Sequence, residues 1–322
     1  ADRRTVLTEM ESKSVLSAFH IPVTQTILAR TPAEAMMLAA QLGFPVALKI
    51  DSPDISHKSD VNGVALNVMN AVSVRDIFED MMATVKRRMP EARINGITVQ
   101  RMARHTRGRE LYIGVVTDEA FGPVIAFGAG GVRIELYRDR AMELPPLNQF
   151  LARQLIDRSR VSRTLDEWRG ARPINREALE QILLRVSEMV CELPQLRELD
   201  INPIIVDEQG AVAVDARLIV GNTTLSTRPY QQLSILPYPA RFEQTWPLPG
   251  GNHYTIRPIH PDDADMLQQL VRSLSPESRY NRFVSALTEL SPGMLSKFAL
   301  IDYDREMALV AVMTERHPTD DG

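Results

Sequence analysis

The 322-residue chain contains a single cysteine and few aromatic residues, which make up 6% of the sequence. One thiol cannot form an internal disulfide, so Cys191 fits a reducing compartment, and its apolar helical surroundings predict a buried structural thiol. Apolar runs approaching the ~20 residues of a membrane span are absent from the sequence, as is a signal peptide. We therefore expect a cytoplasmic protein with no membrane partner.

An excess of positive charge is also lacking, since the net charge is −4. This balance argues against a nucleic-acid partner recruited by bulk electrostatics. One basic cluster lacks interleaved aromatics, which favours a solvated loop and leaves open a phosphate contact for one or two of its arginines. Its members are Arg101, Arg104, His105, Arg107 and Arg109. The P-loop pattern G-x-x-x-x-G-K-[ST] is missing as well.

The length and a 44% hydrophobic content predict two domains. Five prolines and a Gly-Gly pair indicate a linker at 221–251. The chain starts almost directly in a helical pattern without an initiator methionine and ends after an apolar strand, 307–313, and a polar tail. We therefore expect a fragment of a longer protein.

Strands and helices are mixed in the first two-thirds without the strict alternation of a doubly wound sheet, which predicts α+β subdomains around a cleft. The predicted helices are 5–19, 32–42 and 72–89, with further helices in 146–192. The predicted strands are 23–29, 44–50, 64–69, 96–102, 110–117 and 123–127. A second unit begins at His253, with a strand at 254–258 and helices at 261–274 and 276–284.

Residues 197–217 form a predicted hairpin around a polar turn at 207–210. Pairing across this turn places Asn202 opposite Asp215, with Cβ atoms about 5 Å apart. An amide oxygen and a carboxylate at that spacing can hold Mg²⁺, which leaves its other positions to water and phosphate. The alternative is an ordinary sheet edge in which Asp200 and Arg217 form a cross-strand ion pair.

Lys49 lies in the apolar predicted strand 44–50, on the opposite face from Val46, Leu48 and Ile50. A lysine there costs desolvation unless an anion meets it, and a phosphate is a suitable partner. Taken alone, an exposed lysine whose stem lies along the sheet is the favoured interpretation.

The polar loop that follows this strand offers two candidate residues. His57 can accept a phosphoryl group or donate a hydrogen bond to one, and Gly63 permits close backbone approach, so that its amide can touch a phosphate. The alternative is a surface loop closed by an Asn62-Gly63 turn.

Three further positions suit a nucleotide. Gln100 and Met102 end a strand, where backbone groups and a soft methionine surface can meet a flat heterocycle. Glu110 can hydrogen-bond a sugar hydroxyl, and the Gly128–Gly131 run permits close ligand approach. The structural alternative is an ordinary strand end for Gln100 and Met102, a solvated carboxylate for Glu110, and a glycine-rich turn for the Gly128–Gly131 run.

Taken in order, these motifs resemble the ATP-grasp domain of ADP-forming acyl-CoA synthetases. The matching stretches are 7–13, 43–50, 52–64, 121–131, 199–204 and 214–217. Six ordered motifs rarely coincide by chance. The resemblance covers roughly the first two-thirds of the chain and implies an ATP-grasp fold over residues 1–222.

The resemblance implies a role for each candidate. Lys49 would hold ATP phosphates and Gly63 would approach them, while Asn202 and Asp215 would bind Mg²⁺. His57 matches a histidine that these synthetases use to relay a phosphoryl group. The adenine and ribose contacts would come from Gln100, Met102 and Glu110. One departure is Asn62, where the family usually has glycine.

The end of the chain resembles the opening of a GNAT acetyltransferase domain, on the stretches 254–263 and 301–312. The resemblance implies a linker at 223–251 and a truncated GNAT-like unit at 252–322. The glycine-rich loop that binds acetyl-CoA in GNAT proteins is absent from this sequence, so we expect the chain alone to be inactive as an acetyltransferase.

Two functions follow from these resemblances. The first is the Mg-ATP-binding region of a bacterial protein lysine acetyltransferase, whose full-length form would add N-terminal CoA-binding and ligase domains, acetyl-CoA and protein lysine substrates. The second is a catalytically active ADP-forming acyl-CoA synthetase subunit with a phosphohistidine relay. The sequence leaves the acyl substrate, the protein target and the oligomeric state open.

Overall fold

The structure is a computed structural model that describes residues 4–55, 57–102, 108–131, 140–167, 172–221, 230–248, 252–285, 287–303 and 306–314. The chain divides into two units, Ala1–Ser234 and Ile235–Gly322. The boundary between them lies inside the segment 223–251 that the sequence assigns to a linker.

A four-stranded antiparallel sheet organises the first part of the first unit. Helix α1 (Glu9–Ala18) precedes it, and helices α2 (Pro32–Leu42) and α3 (Ala71–Arg88) pack on the sheet. The strands are β1 (Thr26–Ala29), β2 (Val46–Asp51), β3 (Val64–Val68) and β4 (Gly96–Arg101), in the order β1–β4–β2–β3. Val46, Leu48 and Ile50 are fully buried in the core beneath the helices.

Local sequence explains the bounds of α2, which match the predicted ones. The Thr31 hydroxyl accepts a hydrogen bond from the backbone N–H of Glu34, and Pro32 stands at the first helical position. Gly43 ends the helix at a φ of +83°, a conformation that favours glycine.

A six-stranded antiparallel sheet forms the second part of the first unit. Its strands are β5 (Arg109–Asp118), β6 (Gly122–Ala129), β7 (Arg140–Glu143), β8 (Leu196–Val206), β9 (Ala211–Ala213) and β10 (Ala216–Val220). The order is β10–β8–β5–β6–β7, and β9 pairs with β8. Helices α4 (Gln149–Arg158) and α5 (Arg176–Glu192) complete a core that includes Ile113, Phe127 and Leu183. Cys191 is buried on α5, as predicted, and burial raises the pKa of its thiol to about 11.

The predicted hairpin register is confirmed. Arg217 pairs with Asp200, and the backbone N–H of Asn202 donates to the carbonyl of Asp215 at 3.2 Å. The turn closes with a bond from the Asp207 N–H to the Gly210 carbonyl at 3.0 Å. Asn202 and Asp215 are therefore direct cross-strand neighbours.

The second unit contains a three-stranded antiparallel sheet, β11 (Gln244–Pro247), β12 (His253–Pro258) and β13 (Leu309–Thr314), in that order. Its helices are α6 (Ala264–Ser273), α7 (Pro276–Phe283) and α8 (Pro292–Ala299). Strand β11 lies within the proline-rich segment expected to be a linker. It is an edge strand, the position in a sheet that tolerates proline.

In the described part of the chain, no helix combines the length and the apolar character of a membrane span. Of the basic cluster noted in the sequence, Arg104, His105 and Arg107 lie outside the described residues. Arg109 is described, and its guanidinium donates to the backbone carbonyls of Thr164 and Asp166.

One phenylalanine inside β6 and one just before it allow a test of the core of the six-stranded sheet. Phe127 is fully buried, whereas Phe121 is 58% exposed. We expect Phe127→Ala to lower the free energy of unfolding by about 3–5 kcal/mol, because it leaves a cavity in the core. Urea denaturation measures the loss, and Phe121→Ala is the matched control. Equal losses in the two variants would contradict this assignment of the core.

Candidate functional site

Helix α1 turns a polar face toward the protein interior. The Thr8 hydroxyl accepts from the backbone N–H of Glu11, and the Glu11 carboxylate accepts from the N–H of Thr8, which fixes the start of the helix. From this start, the three- and four-residue spacing of the helix puts Glu9, Ser12 and Lys13 on the buried side.

The carboxylate of Glu9 is the centre of a buried ionic cluster. Its Oε1 lies 2.8 Å from the Nζ of Lys13 and 2.9 Å from the Nζ of Lys49. Its Oε2 lies 3.1 Å from the Nζ of Lys58. The Glu9 side chain is only 1% exposed, so its charge is neutralised by these three ammonium groups rather than by water.

The cluster shifts the pKa of its members. Burial alone would raise the pKa of Glu9, but the positive charges of Lys49, Lys13 and Lys58 outweigh it and hold that pKa well below its usual range. Burial lowers the pKa of Lys13. For Lys49 burial acts in the same direction, but Asp215 and Glu9 reverse it and raise the pKa. Glu9 and Lys49 therefore face each other as a charged pair at neutral pH.

The interpretation of Lys49 as an exposed lysine is wrong. Lys49 is 4% exposed, and its ammonium donates to Glu9 and, at 3.0 Å, to Oδ2 of Asp215. Glu9 and Asp215 cover the face of the sheet that carries Lys49. A buried ammonium group needs an anionic partner, as the desolvation argument predicts. In this structure that anion is a pair of carboxylates.

The predicted metal ligands lie together beside Lys49. The Oδ1 of Asp215 accepts from the backbone N–H of Ala216, and the Oδ1 of Asn202 accepts from the N–H of Gly131 at 2.8 Å. Both residues line one cavity, and a carboxylate with an amide oxygen is a donor set that suits Mg²⁺. Among the described residues, no group of three or more His, Cys, Asp and Glu side chains forms a metal site of its own. A cation held here therefore needs further oxygen ligands from water or phosphate.

A cavity of about 430 Å³ opens over these groups. That volume lies within the ~300–1,000 Å³ typical of small-molecule sites. Its wall contains the basic side chains of His57, Lys58, Arg140 and Arg217, and the acidic side chains of Glu9, Asp51, Asp60, Asp200 and Asp215. Asn202 and Tyr112 also line it. Basic groups beside the predicted ligand oxygens suit an anion that arrives with a divalent cation.

The loop between β2 and β3 brings His57 to this cavity. His57 is exposed and directly precedes a 3₁₀ turn, Lys58–Val61. Asn62 ends that turn in the left-handed conformation, with a φ of 58°. The N–H of Gly63 donates to the carbonyl of Lys58 at 2.7 Å, and a Cβ at residue 63 would overlap Ile50. The Gly63 amide, predicted to approach a phosphate, is thus engaged inside the loop.

The residues predicted to contact adenine and ribose do not line this cavity. The side-chain oxygen of Gln100 accepts from Lys13 at 3.0 Å, so Gln100 belongs to the ionic cluster instead. The N–H of Met102 donates to the carbonyl of Pro45, and Glu110 lies against Gly131. Residues 103–107 and 132–139, which follow Met102 and Gly131, are outside the described residues.

Sequence reasoning missed Glu9, Lys13 and Lys58 as members of the site. The available signal was the stretch 7–13, which carries part of the family resemblance, and the four-residue spacing of Glu9 and Lys13. The prediction also missed Arg140 and Arg217, whose side chains line the same cavity. These two belong to different strands, and only the fold brings them together.

Comparison with known proteins identifies the family of the first unit. The family model for the ATP-grasp domain matches residues 1–220. The chain belongs to the ATP-grasp family. The fold class predicted for the first unit is therefore confirmed, and the two sheets are the two ATP-grasp subdomains.

Relatives of this ATP-grasp chain include ligases. It is 38% identical over 214 residues to the beta subunit of an ADP-forming acetate–CoA ligase I from Pyrococcus furiosus, which covers 66% of this chain and 91% of that subunit. It is 39% identical over 211 residues to the ADP-forming acetate–CoA ligase I of Archaeoglobus fulgidus, of which it spans 30% of the length.

A solved structure of acetyl-coenzyme A synthetase 1 from Ca. Korarchaeum cryptofilum also matches the ATP-grasp chain. The complex with coenzyme A and Ca-AMPCP superposes with a TM-score of 0.65 at 39% identity, covering 68% of this chain and 95% of that one. In a further complex, with coenzyme A and Mg-AMPPCP, the phosphohistidine segment points towards the nucleotide-binding site (TM-score 0.59, 35% identity, coverage 68% and 94%).

An acetyltransferase of Pseudomonas aeruginosa shares a shorter stretch with this chain. The two are 38% identical over 68 residues, which is 21% of this chain and 37% of that protein.

Replacing Glu9 by glutamine tests the ionic cluster. The variant keeps the side-chain shape but leaves the buried ammonium groups of Lys13 and Lys49 without their shared counter-charge. We expect the free energy of unfolding to fall by about 3–5 kcal/mol, the usual cost of breaking a buried ion pair. Chemical denaturation measures it, with Glu79→Gln, an exposed change on α3, expected to stay within about 0.5 kcal/mol of wild type.

The stabilisation by Glu9 also depends on pH. Because folding lowers the pKa of Glu9, its contribution is fully present above the ordinary pKa of 4.5 and is lost as the pH falls toward the folded-state pKa. The gap in unfolding free energy between wild type and Glu9→Gln should therefore be largest above about pH 5 and shrink in more acidic solution. A gap that stays constant on acidification would rule out this charge effect.

Proposed function

We propose that the ATP-grasp unit binds Mg-ATP and serves as the nucleotide-binding, phosphoryl-accepting part of an ADP-forming acyl-CoA ligase. The observation that carries this proposal is that His57, Asn202 and Asp215 line one cavity, with the ammonium of buried Lys49 paired to Asp215. The ligase relatives and the nucleotide complexes of the archaeal synthetase support it.

Each of these residues has a chemical task in the proposed reaction. Lys49 neutralises charge on the phosphates, and Asn202 and Asp215 hold Mg²⁺, which supplies further neutralisation when it is bound. A ring nitrogen of His57 forms a bond to the γ-phosphorus while the bond from that phosphorus to the β–γ bridging oxygen breaks, which releases ADP. The phosphohistidine then transfers the phosphoryl group to the carboxylate of the acid substrate, so that the N–P bond breaks, an acyl phosphate forms and the histidine is regenerated.

Adenine and ribose contacts by Gln100, Met102 and Glu110 remain part of the proposal on the strength of the motif resemblance. In the structure, Gln100 ties the end of β4 to Lys13 on α1. This bond gives Gln100 a second task, since it fixes the ionic cluster beneath the cavity.

A second candidate function is a protein lysine acetyltransferase that contains this ATP-grasp region. The specific support is the 68-residue match to the acetyltransferase of Pseudomonas aeruginosa. In that case the ATP-grasp unit would still bind Mg-ATP. Acetyl transfer from acetyl-CoA would require residues beyond those of this chain.

Removing the proposed metal ligand tests nucleotide binding. We expect Asp215→Ala to weaken Mg-ATP binding by at least about 100-fold in isothermal titration, because the cation loses its only carboxylate from the proposed pair. Chelation of Mg²⁺ by EDTA should weaken ATP binding to wild type but not to the variant. Glu188→Ala, an exposed change on α5, is the control. Equal Mg-ATP affinity in wild type and Asp215→Ala would refute the metal site.

Labelling tests the relay. Incubation with γ-labelled ATP and Mg²⁺ should place acid-labile phosphate on the wild-type chain and none on His57→Ala, since only the histidine supplies the accepting nitrogen. His253→Gln, an exposed change in the second unit, should label like wild type. Label on His57→Ala, or none on wild type, would remove the phosphohistidine claim.

A further inference from the structure

Lys58 connects the His57 loop to the ionic cluster. It directly follows His57, and its ammonium lies 3.1 Å from Oε2 of Glu9. The two side chains differ in environment, because Lys58 is 17% exposed whereas His57 is exposed at the cavity. Both residues line the cavity, but Lys58 also reaches the buried carboxylate of Glu9.

The two oxygens of Glu9 are used differently. Oε1 accepts hydrogen bonds from Lys13 and Lys49, whereas buried Oε2 accepts none from the described residues and has the Lys58 ammonium as its ion-pair partner. A buried carboxylate oxygen without a partner is costly, so Glu9 attracts the loop lysine. Lys13 and Lys49 stand on helix α1 and strand β2, so their backbone positions do not depend on the attraction of Glu9.

We propose that Lys58 is a positioning residue that holds the His57 loop at the nucleotide site through its ion pair with Glu9. Consecutive Cα atoms are about 3.8 Å apart, so fixing Lys58 also confines the backbone of His57. The loop has other anchors in buried Ile55 and Val61, which flank the His57–Lys58 pair. Its remaining polar anchors, an ion pair from Arg93 to Asp54 and a hydrogen bond from Arg88 to the carbonyl of Asp60, lie at exposed positions, where such contacts contribute little.

The contact is also suited to reversible release. When Lys58 leaves, Lys13 and Lys49 still neutralise Glu9, so the cluster and the fold survive. The departing ammonium regains water, which offsets part of the lost attraction. The ion pair therefore works as a latch on the loop rather than as a support of the core.

Hydrogen exchange of the nucleotide-free chain tests the latch directly. The amides of Asp60, Asn62 and Gly63 are hydrogen-bonded within the loop. In Lys58→Met we expect them to exchange about tenfold faster than in wild type, because local opening loses an ion-pair anchor. Lys58→Arg should restore protection, and Lys86→Met, the same change at an exposed position on α3, should have no effect. Unchanged exchange in Lys58→Met would overturn the proposal.

A second readout rests on the proposed function. In the Lys58→Met variant, we expect transfer of label from γ-labelled ATP to His57 to be about tenfold slower than in wild type, because the histidine is less well positioned. The Kd of this variant for Mg-ATP should stay within about threefold of wild type, because binding is not lost. A fall in Mg-ATP affinity with unchanged loop exchange would make Lys58 a phosphate ligand and overturn the latch. If wild type takes up no label, the relay fails, and the exchange experiment still decides the role of Lys58.

Discussion

The buried carboxylate of Glu9 is the interaction on which the candidate site depends. It brings the ammonium groups of α1, β2 and the His57 loop to within about 3 Å of one side chain. Each of these lysines would be costly to bury alone, and together they exceed the charge of one carboxylate. Asp215 supplies the second negative charge, so the cluster ties the four-stranded sheet to the hairpin of the six-stranded one.

This arrangement has a consequence for metal binding. Asp215 already shares its carboxylate between Lys49 and the backbone of Ala216, so a cation must share or displace the Lys49 contact. Glu9 keeps Lys49 paired in either case, since its Oε1 lies 2.9 Å from the Nζ of Lys49. A nucleotide that arrives with its cation offers Lys49 a phosphate as a replacement partner. Metal and phosphate are therefore expected to bind together rather than separately.

Sequence patterns predicted the parts of the site that rest on local periodicity. The hairpin register followed from a two-residue strand period and a tight polar turn, and the structure agrees with it. Helix α1 shows the limit of such patterns, because amphipathic reasoning places Glu9 and Lys13 outward. Their burial depends on Lys49 and Gln100, which are distant in sequence, and only tertiary contact supplies these partners.

The departure at Asn62 fits the same loop geometry that glycine would allow. Residue 62 adopts a left-handed conformation, which asparagine tolerates better than most residues, so the substitution keeps the turn. Gly63 has a different constraint, since its hydrogen faces Ile50 and any side chain would collide there. The loop therefore keeps the one glycine that packing requires and replaces the one that conformation alone favours.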